Sequence, residues 1–412
     1  MSATPASPPS PLAGAGFRWL LAYRICTLLS YQVVAVTVGW HIYEITGDPL
    51  ALGLVGLAEV VPYFCIAPFS GYLVDHLPRR KLGAAACVLL AANAGVLALI
   101  AADVLPAHGT WPIYLAVAVG GIGRSFLGPV YNALFARVLK REQFGRGASL
   151  GSVVFQTGLV LGPAAGGVLV GALGNPVAYA VGTAFALLAA GTLLRMPVTE
   201  PAMTQQRGPI FASIAEGARF VAGNQIMLGA MALDMFSVLL GGAVSMLPAF
   251  IKDILHAGPE ALGVLRAAPA VGSIAIALWL TRHPLQRHAG RVLLIAVASF
   301  GLCTMAFALS RNLWLSAGLL VLYGVCDGVS VVMRSTIMQL VTPDEMRGRV
   351  SSINGIFVSS SNELGAFYDG VMARLLGLVP AMLVGGFVTL GVVGLTARLA
   401  PRLRRLDIRE LH

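Results

Sequence analysis

The fold class that the sequence predicts is an all-α integral membrane protein of twelve transmembrane helices arranged as two six-helix halves. Three observations predict it. Of the 412 residues, 57% are hydrophobic and only 11% are charged. Apolar runs long enough to cross a bilayer recur from one end of the chain to the other. Basic residues collect in alternate gaps between those runs. Soluble domains usually carry about 25% charged residues, so a chain with mean hydropathy +0.81 has too little polar surface to cover itself in water. A hydrocarbon core of roughly 30 Å takes about 20 helical residues to cross, and the runs have that length.

Bounded by charge or by proline and glycine, the runs place spans at about 17–41, 50–74, 82–103, 112–134, 149–172, 176–196, 226–251, 259–280, 291–309, 313–335, 351–373 and 378–399. Residues 1–16, rich in proline, serine and alanine, read as a disordered tail. Residues 400–412 read as a basic cytoplasmic tail. The longest gap, 197–225, separates an N-terminal bundle at 17–196 from a C-terminal bundle at 226–399. Within that gap Ile210, Phe211, Ile214, Ala218 and Val221 share one helical face, with Ser213, Glu216 and Arg219 toward the other. That is the pattern of an amphipathic helix lying on the inner leaflet.

The halves echo one another. RVLKREQFGRGASL at 137–150 and LVTPDEMRGRVSSI at 340–353 both place an acidic residue and then arginines before the next apolar run. Parallel six-span repeats are one architecture built for alternating access. An even number of crossings puts both termini on the same side. With that side cytoplasmic, the outer gaps hold only Lys252, Arg311 and Arg374, while Arg24, Arg124, Arg266 and Arg334 lie within spans and every other Lys or Arg is inside. The positive-inside bias therefore predicts a multi-pass protein of a bacterial-type inner membrane with both termini cytoplasmic.

Two motifs carry more information. After span two comes GYLVDHLPRRK, with Gly71, Asp75, Arg79, Arg80 and Lys81. Span five carries GLVLGPAAGG, with Gly158, Gly162, Pro163, Gly166 and Gly167. Small residues four apart let helix backbones approach closely, and a proline inside a span adds a bend and frees a carbonyl. The first motif resembles the loop that follows the second span in the major facilitator superfamily, with Pro78 where glycine is usual. The second resembles the antiporter motif of exporters in that superfamily. WHIYEITGDPLALGLVGLAEVVP, EGARFV, GAVSMLPAF and SSSNELGAFYDG are similar to its enterobactin-exporter-like branch, also described as transmembrane secretion effectors, which includes multidrug pumps. The resemblance implies the major facilitator fold, a monomer, and a role for the loop charges in stabilising the outward-facing state.

Charges inside spans need a reason to be there, since each costs about 2.5–3.5 kcal/mol at mid-membrane on insertion scales. The acidic ones are Asp234, Glu363, Glu59 and Asp327, and the basic ones of interest are Arg24 and Arg124. Desolvation favours the neutral form of a carboxyl group in such a place, which is what loading and releasing a proton requires. Asp234 or Glu363 is the expected proton carrier, with Arg24 or Arg124 as counter-charge or as an anion contact for substrate. Fixed interhelical pairing is the plain alternative for each of these residues. Arg334, near the inner end of span ten, reads as a snorkelling residue. Tyr31, Gln32, Gln156 and Asn354, with Trp40, Tyr63, Asn93, Tyr131 and Asn132, are candidates to line a central cavity or to pack helices.

Other classes fit less well. No G-x-x-x-x-G-K-[ST] loop surrounds any of the three lysines, so ATP does not drive this chain directly. The five cysteines lie in apolar runs without C-x-x-C spacing, and no metal or cofactor is expected. Basic residues lie in gaps rather than on a folded face interleaved with aromatics, which argues against a nucleic-acid partner. A polytopic membrane enzyme would gather acidic or histidine clusters at a membrane face, and the sequence has no DD pair and no H-E-x-x-H. The expectation is a secondary active transporter working with the bilayer, protons and a small molecule. Proton-coupled export of a siderophore or drug-like compound is the leading reading, and small-metabolite uptake by symport is the alternative.

Overall fold

A computed structural model of the chain describes residues 11–106, 109–198, 210–242, 244–283, 288–343 and 346–407. The described chain is helical, in the order α1 (Ala15–Thr46), α2 (Pro49–His76), α3 (Arg79–Ala101), α4 (Trp111–Val138), α5 (Phe144–Arg195), α6 (Ile210–Gly223), α7 (Gln225–Gly241), α8 (Leu247–Asp253), α9 (Glu260–Arg282), α10 (Ala289–Leu309), α11 (Leu313–Val341), α12 (Arg347–Leu376), α13 (Leu378–Leu399) and α14 (Pro401–Arg404). Most of the expected disordered tail, most of the linker before α6 and the end of the basic tail lie outside the described residues.

Nine helices among the described residues are long and apolar enough to cross a membrane, with α6 and α7 together making a bent tenth candidate. Their apolar side chains point outward as lipid requires. Val168, Leu188, Leu315 and Phe387 are all more than half exposed, which water would penalise and acyl chains do not.

Several departures from uniform helix have readable causes. The α5 segment covers two predicted spans and breaks at Gly174, whose φ of 80° and ψ of 171° suit glycine, two residues before Pro176. The run expected as one span at 226–251 is instead α7 and α8, because the chain leaves helical geometry at Gly242 and re-enters it with a proline in the first turn of α8. The amphipathic segment forms α6 and turns 104° into α7. Asn224 makes that corner: its side chain accepts hydrogen bonds from the Ile226 and Met227 amides at 3.0 and 3.2 Å. At the turn before α3, Pro78 has φ −56°, so the chain turns there without the left-handed residue that a glycine would supply. The α12 helix is absent from the nine because of its SSSNE run.

Two compact units emerge, one of residues 1–38 and 61–205, the other of residues 39–60 and 206–412. The first is knit by α3 against α4 and α5, around a core that includes Phe17, Leu20, Cys87, Val130, Leu134 and Leu193. The second is knit by α11 against α9 and α10, and by α7 against α12 and α13. Its core includes Leu233, Leu293, Val297, Met333, Ile337 and Leu403. The end of α1 and the start of α2, residues 39–60, belong to this second unit although they precede the linker in sequence.

Candidate functional site

The strongest concentration of buried charge lies in the second unit. Asp234 on α7 and Arg334 on α11 form an ion pair and are only 8% and 5% exposed. Arg334 is therefore a buried partner rather than a snorkelling residue, and it supplies the counter-charge of Asp234. A lone charge at that depth is costly, whereas two that neutralise one another are tolerated. The positions follow from helix geometry. Ser237 lies one turn from Asp234 on α7, and Asp327, Ser330 and Arg334 are spaced three and four apart along one face of α11. These two faces, with α10, enclose a small cleft lined by Asp234, Ser237, Val238, Val297, Phe300, Cys326, Asp327 and Ser330. Phe300, which lines the cleft, lies against Tyr323 with ring centroids 4.1 Å apart and ring planes tilted by 33°.

The 39–60 hairpin brings a second set of polar contacts to the same unit. Arg374 reaches Asp48 at 2.6 Å, the Tyr43 hydroxyl donates to Asp253, and Lys252 lies 5.8 Å from the Tyr43 ring centroid. Ser245, in the break between α7 and α8, donates to Asp369 at 2.7 Å. Glycine lets the backbones meet. A Cβ at Gly53 would come within 3.0 Å of the Ala366 carbonyl, and one at Gly56 within 2.9 Å of the Glu363 carbonyl. Glu363 is half-buried on α12 with its carboxylate beside Gly56, and Glu59 is half-buried one turn along α2 from that glycine.

In the first unit, the two intramembrane arginines rest on aromatic rings. The Arg24 guanidinium sits 3.9 Å above the Tyr131 ring and 5.1 Å from Phe155. Arg124 lies 4.4 Å from Tyr31 and 5.4 Å from Tyr63. Such stacking is worth roughly 0.5–2 kcal/mol. The Gly158, Gly162 and Gly166 stripe of α5 packs on Leu28, Gln32 and Val36 of α1, two matched four-residue ladders. A Cβ at Gly158 would come within 2.8 Å of Leu28, at Gly162 within 2.5 Å of Gln32 and at Gly166 within 3.1 Å of Val36. Pro163 and Gly167 are buried on the same helix. Gln156 is half-buried on α5, and in the second unit Asn354 is half-buried on α12.

The loop motif spans the α2–α3 turn. Gly71 is half-buried near the end of α2, Arg80 donates to the Met196 carbonyl, and Lys81 is exposed. Arg79 begins α3, and the side chain of Asp75 lies outside the described residues. Of the residues that sequence reasoning passed over, Ser237, Ser330 and Asp253 carry no signature of their own, while Tyr43, Asp48 and Ser245 lie in the quoted stretches WHIYEITGDPLALGLVGLAEVVP and GAVSMLPAF without being singled out there. Only their positions on a face or at a break distinguish them. Among the described residues, no group of three or more His, Cys, Asp or Glu side chains is placed to hold a metal ion.

Comparison with known proteins bears on the family and the fold. Residues 20–366 match the model of the Major Facilitator Superfamily. The multidrug efflux pump Tap of Mycolicibacterium fortuitum is 25% identical over 393 residues, 91% of this chain and 93% of that protein. The enterobactin exporter EntS of Shigella boydii is 25% identical over 370 residues, 89% of this chain and 86% of that protein. Among solved structures, a bacterial homologue of the human lysosomal transporter Spinster in an inward-facing, occupied conformation superposes with TM-score 0.74 at 14% identity, covering 96% of this chain and 97% of that one. A POT family transporter in complex with 5-aminolevulinic acid superposes with TM-score 0.74 at 10% identity, covering 95% and 97%.

Proposed function

We propose, from the premise that this chain belongs to the Major Facilitator Superfamily of membrane transporters, that it is a proton-coupled exporter of a small molecule, either a siderophore or a drug-like compound. It crosses a bacterial inner membrane twelve times with both termini in the cytoplasm, works as a monomer, and alternates access between two six-helix halves at 17–196 and 226–399. The observation that carries the coupling is the buried charge of the second unit, Asp234 paired with Arg334 beside Asp327. Carboxylates placed there at a cost in free energy are groups whose change of ionisation can be linked to a change of conformation. The direction is supported by the two relatives matched over most of their length, one named an efflux pump and the other an exporter, and by the buried glycine stripe of α5.

In this account Asp234, Asp327, Glu363 and Glu59 are the coupling carboxylates. Arg24 and Arg124, held over aromatic rings, contact the substrate together with Tyr31, Gln32, Gln156 and Asn354. The Gly71–Lys81 loop stabilises the outward-facing state through Asp75 and the basic triplet. Moving one elementary charge across 100 mV is worth about 2.3 kcal/mol, so one proton per cycle supports useful accumulation.

Inverted membrane vesicles energised by respiration test the reading. Accumulation of a candidate substrate that collapses on adding an uncoupler is the expected result. Uncoupler-insensitive accumulation would remove the proton, and release rather than accumulation would reverse the direction.

A further inference from the structure

We propose that Cys303 of α10 and Cys326 of α11 are a redox-active dithiol, which a small peroxide oxidises to a disulfide joining the two helices. Nothing in this depends on what the protein transports; the site is argued from packing, access and sulfur chemistry.

The fold alone brings the two thiols together. No C-x-x-C spacing links them, yet α10 packs along α11, and Phe300, Cys303 and Cys326 form one buried cluster with Tyr323 against it. Phe300 and Tyr323 each stand three residues before one of the cysteines, on the same helical face, and their ring centroids are 4.1 Å apart. One turn of α10 therefore meets one turn of α11 at this level. The thiols themselves are within hydrogen-bonding distance. Closing from there to an S–S bond of about 2 Å is a small approach for side chains that rotate about χ1.

Access is the second, independent observation. Cys303 and Cys326 are 6% and 8% exposed, and Cys326 also lines the cleft between α7, α10 and α11, which has room for about one water molecule. That space selects the oxidant. Hydrogen peroxide is uncharged and scarcely larger than water, whereas a peptide disulfide such as oxidised glutathione is far too large to enter. Cys26 and Cys87 form a second thiol neighbourhood in the first unit, where Cys87 is wholly buried in the core, and they serve as the comparison pair.

The reaction balances and leaves no new charge in the apolar interior. The Cys326 thiol gives its proton to the Asp327 carboxylate, which lines the same cleft, and the thiolate sulfur attacks one peroxide oxygen. The O–O bond breaks, Cys326 becomes a sulfenic acid, and the departing hydroxide recovers the proton from Asp327 as water. The Cys303 sulfur then attacks the sulfenic sulfur. The S–O bond breaks, the S–S bond forms, and the hydroxyl leaves with the Cys303 proton as a second water. Two thiols lose two electrons and two protons while one peroxide becomes two waters. The product pins α11, the helix that carries Asp327, Ser330 and Arg334, to α10.

The test treats purified full-length protein in lipid nanodiscs with hydrogen peroxide, then alkylates, digests and maps it by mass spectrometry, with thermal unfolding measured in parallel. Two of the five free thiols should be lost, as a Cys303–Cys326 cross-linked peptide that dithiothreitol reverses and that outnumbers any Cys26–Cys87 peptide. The thermal midpoint should rise on oxidation, because the bond closes the chain from α10 to α11 into a ring, and Cys303→Ser should abolish the rise. In Cys303→Ser, dimedone should trap Cys326 as its sulfenic acid; in Cys326→Ser, Cys303 should stay unmodified. Absence of the Cys303–Cys326 peptide from folded protein, or its appearance only after unfolding in detergent, overturns the proposal. So does equal cross-linking by oxidised glutathione, which the size of the cleft forbids. A fall in the thermal midpoint on oxidation also overturns it, since the pair would then reach bonding geometry only by distorting the helices. The wild-type peptide map decides the matter even where a serine variant does not fold.

Discussion

Arg334→Gln should be among the most destabilising single substitutions outside the apolar core. The side chains of Arg334 and Asp234 are 6% and 11% exposed, so water does little to screen either charge. Removing the guanidinium leaves Asp234 buried and uncompensated, which typically costs about 3–5 kcal/mol. Removing both charges in Asp234→Asn with Arg334→Gln leaves two amides that can still hydrogen bond across α7 and α11, so the double variant should be closer to wild type than Arg334→Gln alone. The coupling energy separates two accounts of the contact. An ordinary interhelical hydrogen bond between membrane helices averages about 0.6 kcal/mol in such cycles, while a desolvated ion pair should give at least about 2 kcal/mol. The assay is a double-mutant cycle on purified protein in nanodiscs, read by thermal unfolding. Additive effects, or a coupling at or below the hydrogen-bond average, would refute the argument that the two charges sustain one another.

Three further outcomes follow from other contacts. Gly162→Leu should prevent α5 from seating on α1, because even a Cβ there would stand 2.5 Å from Gln32; a loss of folded, monodisperse protein on size-exclusion chromatography is expected, with Gly145→Leu, whose Cβ would meet nothing within 4 Å, as the tolerated control. Arg374→Ala should change unfolding by less than about 1 kcal/mol, because its side chain is 57% exposed and the ion pair to Asp48 is screened; a large loss of thermal stability would contradict that. Asn224→Ala should cost about 0.5–2 kcal/mol by leaving the Ile226 and Met227 amides uncapped, and thermal unfolding alongside Asn224→Ser, which retains a capping oxygen, measures it.

Much of the fold was legible because lipid simplifies the problem. A helix that must satisfy its own backbone across the hydrocarbon has to be long and apolar, so runs of apolar residues locate helices whatever their neighbours are. Punctuation was legible for the same reason: the gap read at 173–175 is the Gly174 break, and the amphipathic stripe at 210–221 is α6. The break after Gly241 was missed because GGAVSMLP is apolar enough to read as continuous span, and its only warnings are two glycines and a proline.

The site was legible by residue type and not by partnership. Hydropathy marks Asp234, Asp327, Arg24 and Arg124 as costly wherever they sit. Nothing local to position 234 says that its counter-charge lies at 334, or that Arg24 and Arg124 rest on Tyr131 and Tyr31. Those pairings are properties of the packed bundle. The glycine ladder of α5 shows the same division: its spacing announces a close helix contact, while Leu28, Gln32 and Val36 as its partners emerge only from the structure.

The most direct test of proton-coupled export uses purified protein reconstituted in liposomes, with an imposed pH gradient as the only energy source and a siderophore and a lipophilic dye as trial substrates. In the right-side-in population, selected by blocking the opposite orientation, substrate should move against its gradient as protons run down theirs, and Asp234→Asn should uncouple the two flows. Solute movement indifferent to the pH gradient, with proton flux unaltered by any transported substrate, would contradict the account.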